Sequence, residues 1–399
     1  MTQFALNFSP ASSASVDSGH APAPALAAPV KVPRSIGVET SGEKASLAPA
    51  APSFDMVGFD IGWDYARYRL APPADHFHAG HPVRQGWQAA QMALGVRTLQ
   101  PSLAVAQWLQ LRLQAWMHGR TFESIMVTPR FISQLQVQQC PVTREVLDAA
   151  PGVSKRDVSN PGVIVTLYDG AGVAAGNLAM VSARAAQALH DAPAAFHQTS
   201  QQTSQRLLPE EARRLDSLRR MATPMSHAEA MAHPLTLLPP ARVRLLNPAH
   251  ALQVLLTRLL LGGAYARRMA DVATLLPAAA RRPYALLMNT LLARRLAPGW
   301  SASASSVCHA LEDAWSHPLV LQRWAPFVQT LSRTQCERVV QRAIQRGWAG
   351  SGVRWLPEDQ ATDGWELPTA GRTHAASLAQ TSQTSQTSHV PASPYQAQS

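Results

Sequence analysis

The chain has 399 residues and a mass of 43.0 kDa, long enough for two ordinary domains or for one domain with long tails. Charged residues are 15% of the chain and apolar residues 46%, which excludes a wholly disordered acidic or basic polymer, although much of the apolar share is alanine. The net charge of +10 comes almost entirely from arginine, because Lys31, Lys44 and Lys155 are the only lysines; such a skew suits a GC-rich bacterial genome and says little by itself about nucleic acid.

Cys140, Cys308 and Cys336 are odd in number, far apart and without a Cys-x-x-Cys pair. Neither a disulfide scaffold nor a cysteine-ligated zinc finger is expected from them. The N-terminus Met1-Thr-Gln-Phe-Ala-Leu lacks the basic-then-apolar pattern of a secretory leader. No uninterrupted apolar run reaches the ~18 residues of a spanning helix; the longest candidate, around Leu252 to Leu276, is broken by Arg258, Arg267, Arg268 and Asp271. A cytoplasmic protein is expected.

Residues 1–52 are rich in Ala, Pro and Ser and too poor in large apolar groups to offset the entropy of ordering, so a disordered tail is expected. A mixed α/β domain is expected over 53–192. Its core starts with the aromatics Phe59, Trp63, Tyr65 and Tyr68, among which Asp64 and Arg67 are a candidate ion pair; a docking site is the alternative use of this segment. His76, His78 and His81 bring three imidazoles, the commonest transition-metal ligands, within six residues. Pro72, Pro73 and Pro82 flank them and Asp75 is the only carboxylate near, which favours a solvated loop. The spacing of Leu103, Val105, Trp108, Leu109, Leu111, Leu113 and Trp116 predicts a helix over 103–118. Phe122–Val127 and Val163–Tyr168 are short β-branched or aromatic runs and predict strands, and Leu178–Leu189 predicts a helix after a Gly-Asn turn.

A polar linker carrying a Gln-Thr-Ser repeat follows at 193–205, and a related repeat marks a second low-complexity tail at 349–399. Between them, 206–348 has helix-period apolar spacing over Ala251–Leu276, Pro283–Leu296, Val307–Ser316 and Thr334–Gly347. The expected fold class is therefore α+β: a small mixed domain followed by an all-α domain, between disordered tails. Residues 206–348 hold 19 Arg against 8 acidic groups, so the whole positive excess lies on the helical block. Its doublets Arg213-Arg214, Arg219-Arg220, Arg267-Arg268, Arg281-Arg282 and Arg294-Arg295 suit phosphate contact, which is strong, salt-sensitive and blind to sequence. Arg267, Arg268, Arg281, Arg282, Arg294 and Arg295 are the candidate nucleic-acid contacts, for DNA or RNA. A solvated helix face is the plainer reading of the same residues.

The segment with chemistry in it is Cys140-Pro-Val-Thr-Arg-Glu-Val146, then Val163-Ile-Val-Thr-Leu-Tyr-Asp-Gly-Ala-Gly-Val-Ala-Ala-Gly-Asn-Leu-Ala-Met-Val-Ser-Ala-Arg-Ala-Ala-Gln187. It resembles the HNH-type (ββα-metal, recombination-endonuclease-like) nuclease motif over 140–190. In that family a strand residue and a helix residue hold a divalent cation against the scissile phosphate, a His commonly activates water, and an Asn braces the intervening loop. The resemblance places Gly172, Gly176, Asn177, Leu178, Met180, Ser182 and Arg184 where the motif has them. It places the strand ligand at Val165, its following Arg or His at Thr166, and the helix ligand at Ala186. What it implies is a catalytically degenerate unit, in which Gly176, Asn177 and Arg184 are structural. Any surviving cleavage would use Asp169 and His190 around Mg²⁺ or Mn²⁺; otherwise no cofactor is implied. The same residues also suit an ordinary β-turn-α unit with Asn177 as helix cap.

No Gly-x-Ser-x-Gly elbow and no Gly-x-x-x-x-Gly-Lys phosphate loop occurs, and Cys140, before Pro141, is expected to pack as a small apolar residue. Two functions are thus carried forward. One is nucleic-acid binding through the Arg-rich helices with an inactive nuclease-like unit. The other is a non-enzymatic interaction or scaffold protein, a secreted effector included, with a helical docking surface. Arginines scattered, or paired with Glu210, Glu211, Glu312 and Glu337, would favour the second.

Overall fold

The computed structural model describes residues 54–148, 160–191, 207–299 and 302–348. The segments 1–52, 193–205 and 349–399, expected to be tails and linker, lie outside the described residues.

The first helices meet through glycine. Helix α1 (Phe54–Arg67) and helix α2 (Pro82–Leu94) cross so closely that a Cβ on Gly62 would lie 1.9 Å from the Val83 carbonyl oxygen, and one on Gly86 would lie 1.9 Å from that of Phe59. Only hydrogen fits at either position. Helix α2 opens on Pro82, with the His81 imidazole accepting the Val83 N–H, and ends at Gly95. Helix α3 (Leu103–Met117) is capped by Ser102, whose hydroxyl accepts the Val105 N–H at 3.2 Å. Its Val105, Leu109, Leu113 and Trp116 close a core with Ile61, Tyr65 and Val83. Asp64 pairs with Arg112 of α3 rather than with Arg67, whose guanidinium lies over the Tyr68 ring. The loop histidines come together, with ring centroids 4.8 and 5.3 Å apart, yet among the described residues no group of three His, Cys, Asp or Glu is arranged to hold a metal.

Beyond α3 the sequence expectation is corrected twice. Phe122–Val127 is no strand: Phe122 makes a single parallel bridge to Val173, and 124–126 form a turn before the short helix α4 (Pro129–Gln134). Leu178–Leu189 is not one helix. Strand β1 (Gly162–Thr166) pairs antiparallel with strand β2 (Leu178–Ser182), Val165 opposite Ala179 and Thr166 opposite Leu178, and helix α5 (Ala183–Asp191) starts only after Ser182. Periodicity misleads here because all five β2 residues are buried, which removes the alternation that marks a strand. Asn177 therefore precedes a strand and caps no helix.

The remaining chain forms α6 (Pro209–Ala222), α7 (His227–Ala232), α8 (Pro248–Leu261), α9 (Tyr265–Leu275), α10 (Ala278–Leu296), α11 (Ala304–Ala314), α12 (Pro318–Val328) and α13 (Arg333–Gln345). The predicted 251–276 helix is broken by Gly262-Gly263 into α8 and α9, and α10 starts five residues before Pro283. Helix α8 is the axis of this block: Leu252, Leu255, Leu256, Leu259 and Leu260 are buried, and α7, α9, α10, α11 and α13 pack around it. A continuous core joins it to the mixed region, running from Cys140, Met180, Val181 and Ala185 through Leu218 and Leu252 to Trp324 and Val340. The β-hairpin is thus packed between α3–α4 on one side and the helical block on the other. As a whole the architecture is α+β, mostly helical, with one two-stranded antiparallel sheet among the described residues. No helix among the described residues is long and apolar enough to cross a membrane.

Candidate functional site

The loop between β1 and β2 is fixed from inside by one side chain. Asn177 is fully buried; its Oδ1 accepts the Tyr168 N–H at 2.9 Å, while its Nδ2 donates to the Tyr168 carbonyl at 2.8 Å and the Gly172 carbonyl at 2.7 Å. From outside, the buried Glu123 carboxylate accepts the Ala175 N–H at 2.7 Å, and the Val173 N–H donates to the Thr121 carbonyl at 2.9 Å. Two glycines make this possible. Gly172 has φ +61° and sits where a Cβ would be 2.1 Å from Thr121 Oγ1; Gly176 has φ +90° and faces the stem of Arg244.

Around the hairpin, polar groups tie the mixed region to the helical block. Cys140 is buried and its sulfur accepts the N–H groups of Thr143 and Ser182, a packed structural thiol. Arg184 bridges Glu145 and Glu211, each at 2.7 Å. Arg144, in a left-handed turn at φ +60°, reaches Asp313 at 2.7 Å and Glu312 at 3.2 Å. Burial pushes the Glu312 carboxyl up, while the Leu238 N–H and the Arg144 guanidinium pull it back.

Beside β1 and α5 opens a cleft of about 680 Å³. Ile164, Val165, Ala186 and Leu189 give it an aliphatic wall, and its polar side comprises His118, Arg120, Thr166, Asp169, His190 and Arg219. The structure therefore brings Asp169 and His190, far apart in sequence, into one cleft. It pairs Asp169 with Arg120, at 3.4 Å, and Arg120 also reaches Thr166 Oγ1 at 3.5 Å. No hydrogen bond joins Asp169 to His190. The two positions where the resemblance puts metal ligands, Val165 and Ala186, both line this cleft and are both apolar.

The arginine doublets divide into two kinds. On α6, Arg213 pairs with Glu210 at 3.1 Å, Arg220 with Asp216 at 2.6 Å, and the buried Arg214 donates to the Val142 carbonyl at 2.7 Å. On α9 and α10, Arg267, Arg268, Arg281, Arg282 and Arg294 have no acidic partner among the described residues, although Arg281 donates to the Leu276 carbonyl at 3.2 Å. Arg295 is committed to the fold: it donates to the Leu260 carbonyl and covers the Tyr265 ring at 4.4 Å. Four glutamates are likewise engaged, Glu211 and Glu312 by Arg184 and Arg144, and Glu210 and Glu337 by Arg213 and Arg333.

Sequence reasoning missed four residues, and it read a fifth, Arg219, only as half of a doublet. Arg338 and Arg342 stand exposed one turn apart on α13 without an acidic partner among the described residues, a pattern the four-residue spacing could have given. His118, Arg120 and Arg219 reach the cleft through tertiary packing, for which the sequence holds no local signal. Trp315, Trp324 and Tyr284 are buried and offer nothing to a nucleobase. Comparison with protein-family models, with curated proteins and with solved structures gives no match.

Proposed function

We propose that this protein binds nucleic acid, DNA or RNA, through its Arg-rich helices, and that its β1–β2–α5 segment is a degenerate HNH-like unit that holds rather than cuts. The observation that carries this reading is the set of arginines on α9, α10 and α13 without acidic partners, set against the paired arginines of α6. Guanidinium groups left uncompensated on a surface attract phosphate and release its counterions. The Asn177-braced loop and the strand–loop–strand–helix order support the family resemblance, and apolar Val165 and Ala186 argue against metal-dependent cleavage.

The test is equilibrium binding of the full chain to duplex and single-stranded DNA and RNA across a salt series, with Mg²⁺ and Mn²⁺ lanes for cleavage. Micromolar binding that weakens steeply with salt is expected, with no cleavage. Binding undetectable at about 100 mM salt, where non-specific binders still associate at micromolar to tenth-millimolar concentration, would sink the reading. Cleavage lost in Asp169→Ala would instead revive an endonuclease using Asp169 and His190.

Two observations favour the scaffold reading: Glu210, Glu211, Glu312 and Glu337 all pair with arginine, the pattern expected of it, and an apolar surface is exposed. Leu286, Leu296, Leu319 and Leu321 are 37–45% exposed on α10 and α12, and a groove between these helices is lined by Leu286, Leu319, Arg294 and Arg323. If this surface docks a protein, Leu286→Ser with Leu319→Ser removes that partner and leaves nucleic-acid binding unchanged.

A further inference from the structure

The cleft beside β1 and α5 has a composition that selects its ligand. Its lining combines aliphatic Val165, Ala186 and Leu189 with basic Arg120, Arg219 and His190. At about 680 Å³ it is far larger than a phosphate ion needs and falls within the roughly 300–1,000 Å³ of sites for small organic ligands. A ligand that satisfies both kinds of group has a flat, weakly polar body and an anionic end.

Arg120 is available for that end. Its pair with Asp169 is long, 3.4 Å, and the two side chains are 44% and 70% exposed. Exposed pairs of this kind add little stability, whereas a guanidinium–phosphate contact forms two parallel charged hydrogen bonds. Arg120 can therefore leave the Asp169 carboxylate at little cost and turn to a phosphate. Thr166 Oγ1, 3.5 Å from the Arg120 guanidinium, supplies a further donor on the same side. With apolar Val165 and Ala186 in the wall, the positive charge facing the phosphate comes from side chains, Arg120 first among them.

We propose that this cleft binds a single nucleotide unit without a metal ion, its phosphate on Arg120 and its base against Val165, Ala186 and Leu189. The ligand chemistry is that of a nucleoside monophosphate, whether free or as one residue of a single strand. This deepens the nucleic-acid reading and rests on it.

The experiment uses the full chain in EDTA, with four probes: nucleoside 5′-monophosphates, inorganic phosphate, uncharged nucleosides and a single-stranded oligonucleotide. Wild type is compared with Arg120→Gln and Val165→Asp, each checked for an unchanged melting transition. The monophosphates are expected to bind at least about tenfold more tightly than phosphate or nucleoside, and to lose about tenfold or more in Arg120→Gln, the loss typical of a deleted charged hydrogen bond. Arg120 is exposed, so that variant folds even if Val165→Asp does not. Monophosphate affinity equal to that of phosphate, or unchanged in Arg120→Gln, overturns the inference. If the oligonucleotide binds with a salt slope but no monophosphate binds, the cleft inference fails and the nucleic-acid reading stands. If neither binds, both fail. Oligonucleotide binding on its own that weakens equally in Arg120→Gln and in a variant of α13 carrying Arg338→Gln with Arg342→Gln assigns Arg120 to a diffuse surface and also overturns the cleft.

Discussion

Helix α6 and helix α13 carry arginine at similar density, and the structure uses them in opposite ways. On α6, Glu210 and Asp216 lie one turn from Arg213 and Arg220, and Arg214 turns inward to a backbone carbonyl. On α13, Arg333 pairs with Glu337, but Arg338 and Arg342 face outward with no acid in reach among the described residues. Net charge therefore does not locate an interface. What matters is whether a carboxylate actually reaches each guanidinium, from the next turn of the helix or across a packed seam.

That contrast can be broken at the seam first, where the largest effect is expected. Arg144→Met leaves Glu312, only 11% exposed, without its cation, and should destabilise the fold by about 3–5 kcal/mol, the cost of breaking a buried pair. A urea unfolding curve measures it; a loss below about 1 kcal/mol, the worth of an exposed pair, would show that the seam is solvated.

The next effect depends on pH. His250 is fully buried on α8, and burial lowers its pKa from the usual 6.5 to about 4. It is neutral in the folded chain while the unfolded chain takes up a proton below pH 6.5. This stability is present above pH 6.5 and is lost as the pH falls toward 4, by about 3 kcal/mol in all. In His250→Gln the difference in unfolding free energy between pH 7 and pH 4.5 should shrink; an unchanged difference assigns the acid sensitivity to other groups.

Asn177→Ala deletes three hydrogen bonds in a buried loop and should cost about 1–3 kcal/mol, read in the same unfolding assay. Smallest of all, Arg338→Gln with Arg342→Gln should leave stability within about 0.5 kcal/mol, as for surface sites that pair with nothing.

Helix existence was legible over most of 206–348, because alanine- and leucine-rich segments keep a 3.6-residue period and proline marks several of their ends. Helix boundaries were less so: Gly262-Gly263 splits one predicted helix, and Pro283 lies inside α10 rather than at its start. The strand 178–182 was hidden because burial on both faces erases alternation. Within the cleft, Asp169, His190 and the apolar Val165 and Ala186 could be read from the chain alone. Arg120 could not be found this way, since tertiary pairing of Thr121, Phe122 and Glu123 with Val173 and Ala175 carries the end of α3 to the glycine loop.

Whether uncompensated arginines bind nucleic-acid phosphate is tested most directly by two matched double variants of the full chain. One is Arg338→Gln with Arg342→Gln on α13; the other is Arg213→Gln with Arg220→Gln on α6. The measurement is the dependence of binding affinity on salt for a single-stranded oligonucleotide. The α13 variant is expected to lower the slope by about one to two, close to one for each phosphate no longer neutralised, while the α6 variant leaves it unchanged. Equal slopes in both variants and wild type, or a larger drop in the α6 variant, would refute phosphate binding by the uncompensated arginines.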